Sequence, residues 1–283
     1  MEDIGPLTLV FLRTVLAAGV LWGVVRVRGL AMPRGRAVWG SLFVLGLLNN
    51  IIPFTLLFWG EIYISAGLAS ILNGLTPLFA VVLAHYMGKH ERITPNRVLG
   101  LLLGIGGVAV LIGPGLLGEV FAGGSGEHGS MMLTLAKVAL IVASCSYALA
   151  GIYARRFREY PPLIIATGQV TSSALMSLPL VLLIDHPFTH AFPVWQTWMS
   201  VAWLGILSTA LAYAIYFRLL ATAGSTNITL VTLLAPVTAI LLGWLVLGEH
   251  LMPQHFAGMA LIFAGLMAID GRVFHSVKMF NRS

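Results

Sequence analysis

Long apolar runs separated by short polar breaks dominate this chain. A helix crosses a bilayer with about 17–25 mostly apolar residues. Nine segments fit that length: 6–25, 37–60, 66–87, 97–113, 132–154, 162–184, 197–218, 226–247 and 255–271. Turn chemistry separates them at Met32-Pro33-Arg34-Gly35, Ser65-Ala66-Gly67, Thr94-Pro95-Asn96, Tyr160-Pro161-Pro162 and Ala223-Gly224-Ser225. The Gly-rich, polar stretch 114–130 reads as a joint between halves. The pattern predicts an all-α integral membrane protein with nine helices in this chain.

The halves repeat. A shift of 159 residues lays Trp39 on Trp198, Leu45 on Leu204, Gly46 on Gly205, Phe58 on Phe217 and Pro77 on Pro236. A one-residue gap then pairs Glu91 with Glu249, Pro95 with Pro253, Gly100 with Gly258 and Gly107 with Gly265. Span 6–25 matches 162–184, with Pro6 on Pro162, Leu7 on Leu163 and Arg13 on Gln169. Duplication inside a polytopic membrane domain is a common signature of secondary transporters.

Composition agrees. The chain of 283 residues is 58% hydrophobic and 9% charged, against about 25% charged in soluble domains. One cysteine, Cys145, excludes an intrachain disulfide, and no Cys/His spacing resembles a metal site. The net charge of +6 does not point to nucleic acid, because the basic residues lie in short loops between apolar spans. With residue 1 placed outside, the inside loops and C-terminus hold fourteen of the sixteen Lys plus Arg, and the outside loops none. The remaining two, Arg13 and Lys137, lie within spans. This positive-inside bias sets both orientation and span count. The expected location is a bacterial-type inner membrane, with the C-terminus cytoplasmic.

Span 132–154 has no partner in the first half, which is therefore one helix short. A helix ahead of residue 1 would start inside and deliver Glu2 and Asp3 outside. The reading is a 5+5 protein lacking its first helix through a mis-assigned start; the alternative is a genuine nine-helix chain. No cleavable signal is visible, since acidic residues precede the first apolar run. An odd helix number per repeat inverts the second copy, and inverted repeats place a binding site near the midplane. The expected divisions are a first repeat at 1–115, an extracytoplasmic linker at 116–131, a second repeat at 132–272 and a tail at 273–283.

Several ordered motifs now resemble a known family. They are Gly5-Pro6-Leu7-Thr8 followed by Arg13, Ser65 through Asn73 leading into Thr76-Pro77-Leu78, and Glu91 before Thr94-Pro95. The second half carries Leu234-Ala235-Pro236 through Leu247-Gly248-Glu249 to Gly258 and Gly265. Together they resemble the drug/metabolite transporter superfamily, EamA-type, over essentially the whole chain. The resemblance implies ten helices in two inverted five-helix repeats around a central cavity. It implies transport of amino acids, other metabolites, sugars or drugs, frequently outward.

Polar residues at bilayer depth are costly and mark candidate sites. Asn49 and Asn50 align with Ser208 and Thr209, all near the midplane. Ser70, Asn73 and Pro77, spaced i, i+3 and i+7, share a helix face, and Thr229, Thr232 and Pro236 have the same spacing. With Thr76, these residues are candidate cavity lining; the competing role is hydrogen bonding between packed helices. Pro77 and Pro236 are candidate hinges or static kinks, and Pro53 faces Ala212 in the repeat. Tyr147, Trp203 and Tyr213 are candidate pocket aromatics, with interfacial anchoring as the competing role. Arg13 is expected to pair with Glu61, with substrate binding as the competing role. Gly100 and Gly104 permit close helix packing, within one chain or between two.

These residues lead to a secondary transporter, exporting small metabolites such as amino acids or drugs by alternating access around a midplane cavity. A channel or a lipid scramblase is the alternative. An intramembrane enzyme ranks last, because His90-Glu91-Arg92-Ile93-Thr94 lacks the second His of a zinc protease. No phosphate-binding loop of the Gly-x-x-x-x-Gly-Lys type is present. The expected partners are a small-molecule substrate and the lipid bilayer, without nucleic acid, metal or cofactor, in a monomer or homodimer.

Overall fold

A computed structural model describes residues 4–64, 66–87, 94–112, 127–185, 193–223 and 252–270, with scattered positions between 228 and 245. Among these residues all regular structure is helical. The elements are α1 (Pro6–Val27), α2 (Arg36–Gly46), π1 (Leu47–Ile51), α3 (Ile52–Gly60), α4 (Ala66–Asn73), α5 (Thr76–Met87) and α6 (Pro95–Ile112). There follow α7 (Glu127–Tyr153), α8 (Pro162–Leu180), π2 (Val181–Asp185), α9 (Trp195–Gly205), π3 (Ile206–Leu211), α10 (Ala212–Ala223) and α11 (Pro253–Asp270). Five continuous stretches are long and apolar enough to cross a membrane: Pro6–Val27, Arg36–Gly60, Met131–Phe157, Pro162–Asp185 and Trp195–Ala223. Thr229, Thr232 and Pro236, in the expected span 226–247, lie outside the described residues.

Several of the expected uniform spans are instead interrupted, in two ways. Span 66–87 divides into α4 and α5 across Gly74-Leu75. Pro77 is therefore the second residue of α5, not a mid-helix kink, and Ser70 and Asn73 belong to a different helix. Proline cannot donate to the carbonyl four residues back, here that of Asn73. The Thr76 hydroxyl donates to it instead, at 2.7 Å. Ser144 of α7 donates to the neighbouring Leu72 carbonyl, also at 2.7 Å. Hydroxyls commonly satisfy the carbonyls freed by a proline inside a membrane. Thr76→Val should remove one such bond and lower stability by about 0.6 kcal/mol, or at most about 1.7; a denaturant titration in detergent would measure it.

The other interruption is a π turn, in which hydrogen bonds reach back five residues. Ile52 N–H bonds to the Leu47 carbonyl, and Ala212 N–H to that of Leu207. The repeat shift carries Leu47–Ile51 onto 206–210, so π1 and π3 are one feature occurring twice. Each also falls at the middle of its span.

The chain folds as two compact units. The first contains Met1–Trp59 and Leu149–Ile228; the second contains Gly60–Ala148 and Thr229–Ser283. Each unit draws on both sequence repeats. The first is built on α1 against α8, with α2, π1 and π3 packed alongside. Its core includes Leu21, Leu42, Leu45, Ile164, Val170 and Phe217. Thr8 caps this assembly by donating its backbone N–H and its hydroxyl to Asp185, at 2.7 and 2.9 Å. A carboxylate beside a helix N-terminus is favoured by the exposed N–H groups there. The outer faces of this unit carry Leu175, Leu178, Leu183 and Ile215, as a lipid-facing surface requires.

The second unit holds α6 against α11 in its most extensive helix pairing. Glycines set the crossing. A Cβ added at Gly100 would stand 2.5 Å from the Gly265 carbonyl oxygen, and one at Gly265 would stand 2.5 Å from that of Gly100. Gly107 meets Gly258 in the same way, at 2.8 Å. The repeat exchanges these two contacts, because Gly100 aligns with Gly258 and Gly107 with Gly265. The expected close-packing role of this stretch is thus used within the chain.

Candidate functional site

A buried polar layer lies at mid-depth of the first unit. Asn50, Gln169, Ser173 and Thr209 are fully buried, Asn49 is 4% exposed and Arg13 is 8% exposed. Polar groups this deep must satisfy one another, and they do. Asn49 Nδ2 donates to Gln169 Oε1 at 3.2 Å, Gln169 Nε2 to Asn50 Oδ1 at 3.3 Å, and Asn50 Nδ2 to Ser173 Oγ at 2.7 Å. The Tyr213 hydroxyl donates to the Asn49 carbonyl at 3.3 Å and also meets Asn50 Oδ1. Pro53 explains the first of these contacts. It has no N–H for the Asn49 carbonyl four residues back, and the tyrosine supplies a donor.

Arg13 belongs to the same layer. Its Nε and Nη2 donate to Thr209 Oγ1 at 3.1 and 3.0 Å, and its guanidinium lies 4.3 Å from the centre of the Phe54 ring. That is a cation–π distance. Glu61, the expected partner, sits in a turn of the second unit. Thr209 also donates to the Leu204 carbonyl five residues back, at 2.8 Å. A side chain inserted into the helical ladder in this way is a recognised cause of local distortion.

These contacts form two repeat-related pairs. Arg13 on α1 bonds Thr209 on π3, while Gln169 on α8 bonds Asn50 on π1. Arg13 aligns with Gln169, and Asn50 aligns with Thr209. The backbone packing has the same relation. A Cβ at Gly46 would stand 3.0 Å from the Gln169 carbonyl oxygen, and one at Gly205 would stand 3.2 Å from that of Arg13. The glycine before each π segment lets it approach the opposite helix, so the polar side chains meet.

Of the candidates from sequence, Asn49, Asn50, Thr209 and Tyr213 come together here. Ser208 and Trp203 do not. Ser208 is exposed and Trp203 is 65% exposed, so both turn away from the layer. Asn73, Thr76, Pro77 and Tyr147 belong to the second unit. There the Asn73 Oδ1 is buried without a hydrogen-bond partner among the described residues. Gln169 and Ser173 are members that the polar pattern did not single out, although alignment of Gln169 with Arg13 carried the signal.

Apolar spans holding a buried polar layer at mid-depth, built twice by an internal repeat, are the architecture of a multi-pass membrane transporter. This chain belongs to the EamA-like transporter family, whose family model matches residues 1–113 and 134–269. It is 29% identical over 271 residues to a probable terminal-alkyne amino-acid exporter of Streptantibioticus cattleyicolor, covering 95% of this chain and 83% of that protein. A probable amino-acid metabolite efflux pump of Salmonella typhimurium is 30% identical over 209 residues, covering 71% of this chain and 66% of the pump. A solved crystal structure with 20% identity has a TM-score of 0.76, over 94% of this chain and 89% of the other, and shows the same fold.

Proposed function

We propose that this chain is a secondary transporter that exports small metabolites of amino-acid type by alternating access. The duplicated polar layer carries the proposal. Three carboxamides, a guanidinium and a phenol offer the donors and acceptors that a carboxylate and an ammonium group need. They sit at the midpoint of helices loosened by π turns, and in many transporters discontinuous helices form the substrate site. The layer is closed in this structure, so binding would exchange its internal hydrogen bonds for bonds to substrate. In the second unit the Asn73 Oδ1, without a hydrogen-bond partner among the described residues, is by itself an acceptor suited to a ligand N–H. The names of the two bacterial relatives support the substrate class and the outward direction.

The test is counterflow of a labelled amino-acid and metabolite panel in proteoliposomes, with Asn73→Ala beside the unaltered chain. Saturable counterflow of one compound class is expected, weakened at least about tenfold in the variant, a loss on the scale of one charge-assisted hydrogen bond. Flux that neither saturates nor shows counterflow would replace the carrier with a channel. Equal counterflow by both proteins would show that Asn73 takes no part in transport.

A further inference from the structure

The first unit carries a cavity outside the polar layer. It is a groove of about 800 Å³ between the second half of α1, the start of α8, and π3 with α10. That volume lies in the range of about 300–1,000 Å³ typical of small-molecule sites. Its wall is apolar, with Val20, Val24, Leu207 and Leu211 along its length. The only charged side chains among its fifteen lining residues are Arg28 and Arg218, both exposed. Among the described residues neither guanidinium has an ionic partner.

The two arginines mark one end. α1 runs towards Arg28 and α10 runs towards Arg218, so both charges stand on the side of the basic loops. Eleven residues separate Arg218 from Leu207, about 16 Å at about 1.5 Å per residue. One leaflet of hydrocarbon is about 15 Å deep. A headgroup held at the arginines would therefore lay its chain along the groove as far as the bilayer midplane. Leu207 and Leu211 are 39% and 52% exposed, so the groove opens sideways, where a lipid can enter from the membrane.

We infer that this groove is a binding site for an anionic phospholipid of the leaflet facing the basic loops, its phosphate between Arg28 and Arg218 and an acyl chain along the apolar wall. Basic pockets between membrane helices are suited to such headgroups. Arginine is the residue of choice because its planar fork matches phosphate oxygens.

Native mass spectrometry of the purified protein, equilibrated with equal amounts of phosphatidylglycerol and phosphatidylcholine, tests this directly. The unaltered chain should retain phosphatidylglycerol preferentially. Arg28→Gln and Arg218→Gln should each reduce that preference about fivefold, and the pair together about thirtyfold. Arg36→Gln, a basic change outside the groove, should leave it unaltered. Leu211→Trp keeps both charges but fills the groove, and should also abolish retention. The proposal is overturned by equal retention of the two lipids, by a double variant that still prefers phosphatidylglycerol, or by full retention in Leu211→Trp. It is overturned equally if glycerol phosphate competes as well as the lipid, which would make the site one for free phosphate. A dimer mass lost on Leu211→Trp, with no lipid adduct, would assign the groove to a second copy. The competition in the unaltered chain needs no variant, so a folding defect cannot mask the answer.

Discussion

Gly265→Leu is expected to abolish folded protein. At this crossing α6 and α11 approach backbone to backbone, with the Gly100 carbonyl oxygen 2.5 Å and the Gly104 nitrogen 2.7 Å from where a Cβ would stand. The obstructing atoms are main chain, so no rotamer change relieves them. Overpacking a core costs about 1–3 kcal/mol when side chains can shift, and here the helices themselves must separate. Gly100→Leu should behave alike, since the two contacts are reciprocal. Size-exclusion chromatography in mild detergent checks this: a monodisperse peak with an unchanged melting midpoint would show that the helices can part without loss.

Asn50→Leu is the second large effect. Asn50 joins Gln169, Ser173 and Tyr213 in one network, and its loss leaves their polar groups in an apolar interior. A buried group left unsatisfied costs about 1–3 kcal/mol, while single interhelical bonds in membranes average only about 0.6. The number of orphaned partners decides between these scales, and a loss of about 1–3 kcal/mol is expected. Gln169→Leu should cost a comparable amount. The double variant should be less damaged than the sum by at least about 0.5 kcal/mol, since each change removes the other's unpaired partner. Additive losses in a chemical unfolding series would show that the two amides are not coupled.

Much of this was legible in the chain. The repeat needs only aligned apolar spans, glycines and prolines, and it already sets Arg13 against Gln169 and Asn50 against Thr209. Periodicity also located Asn49 and Asn50 at the middle of their span, where the structure places the polar layer. What it could not give was which side chain meets which. Charge alone points Arg13 to Glu61, but a guanidinium over Phe54 and on Thr209 is decided by helix packing. The π turns were hidden because nothing in a run such as Ile206–Leu211 changes its apolar pattern. Local backbone chemistry accompanies them: Pro53 brings no N–H in one half, and the Thr209 hydroxyl sits on the Leu204 carbonyl in the other. The break before Pro77 is half visible in the sequence: the proline marks a kink, but Gly74 and the capture of the Asn73 carbonyl by Thr76 turn a kink into two helices.

The repeat suggests a sharper variant than an alanine. Arg13→Gln installs on α1 the residue that α8 already uses at the equivalent position, and glutamine can still donate to Thr209. Fold and charge are thereby separated. Saturable counterflow by Arg13→Gln, compared with the unaltered chain in the same proteoliposomes, tests the polar layer as the substrate's path most directly. The expected result is a folded protein whose half-saturating concentration for a carboxylate-bearing substrate rises at least about tenfold, the worth of one charge-assisted hydrogen bond. A folded variant with unchanged counterflow would contradict it and leave the layer as a purely structural clasp.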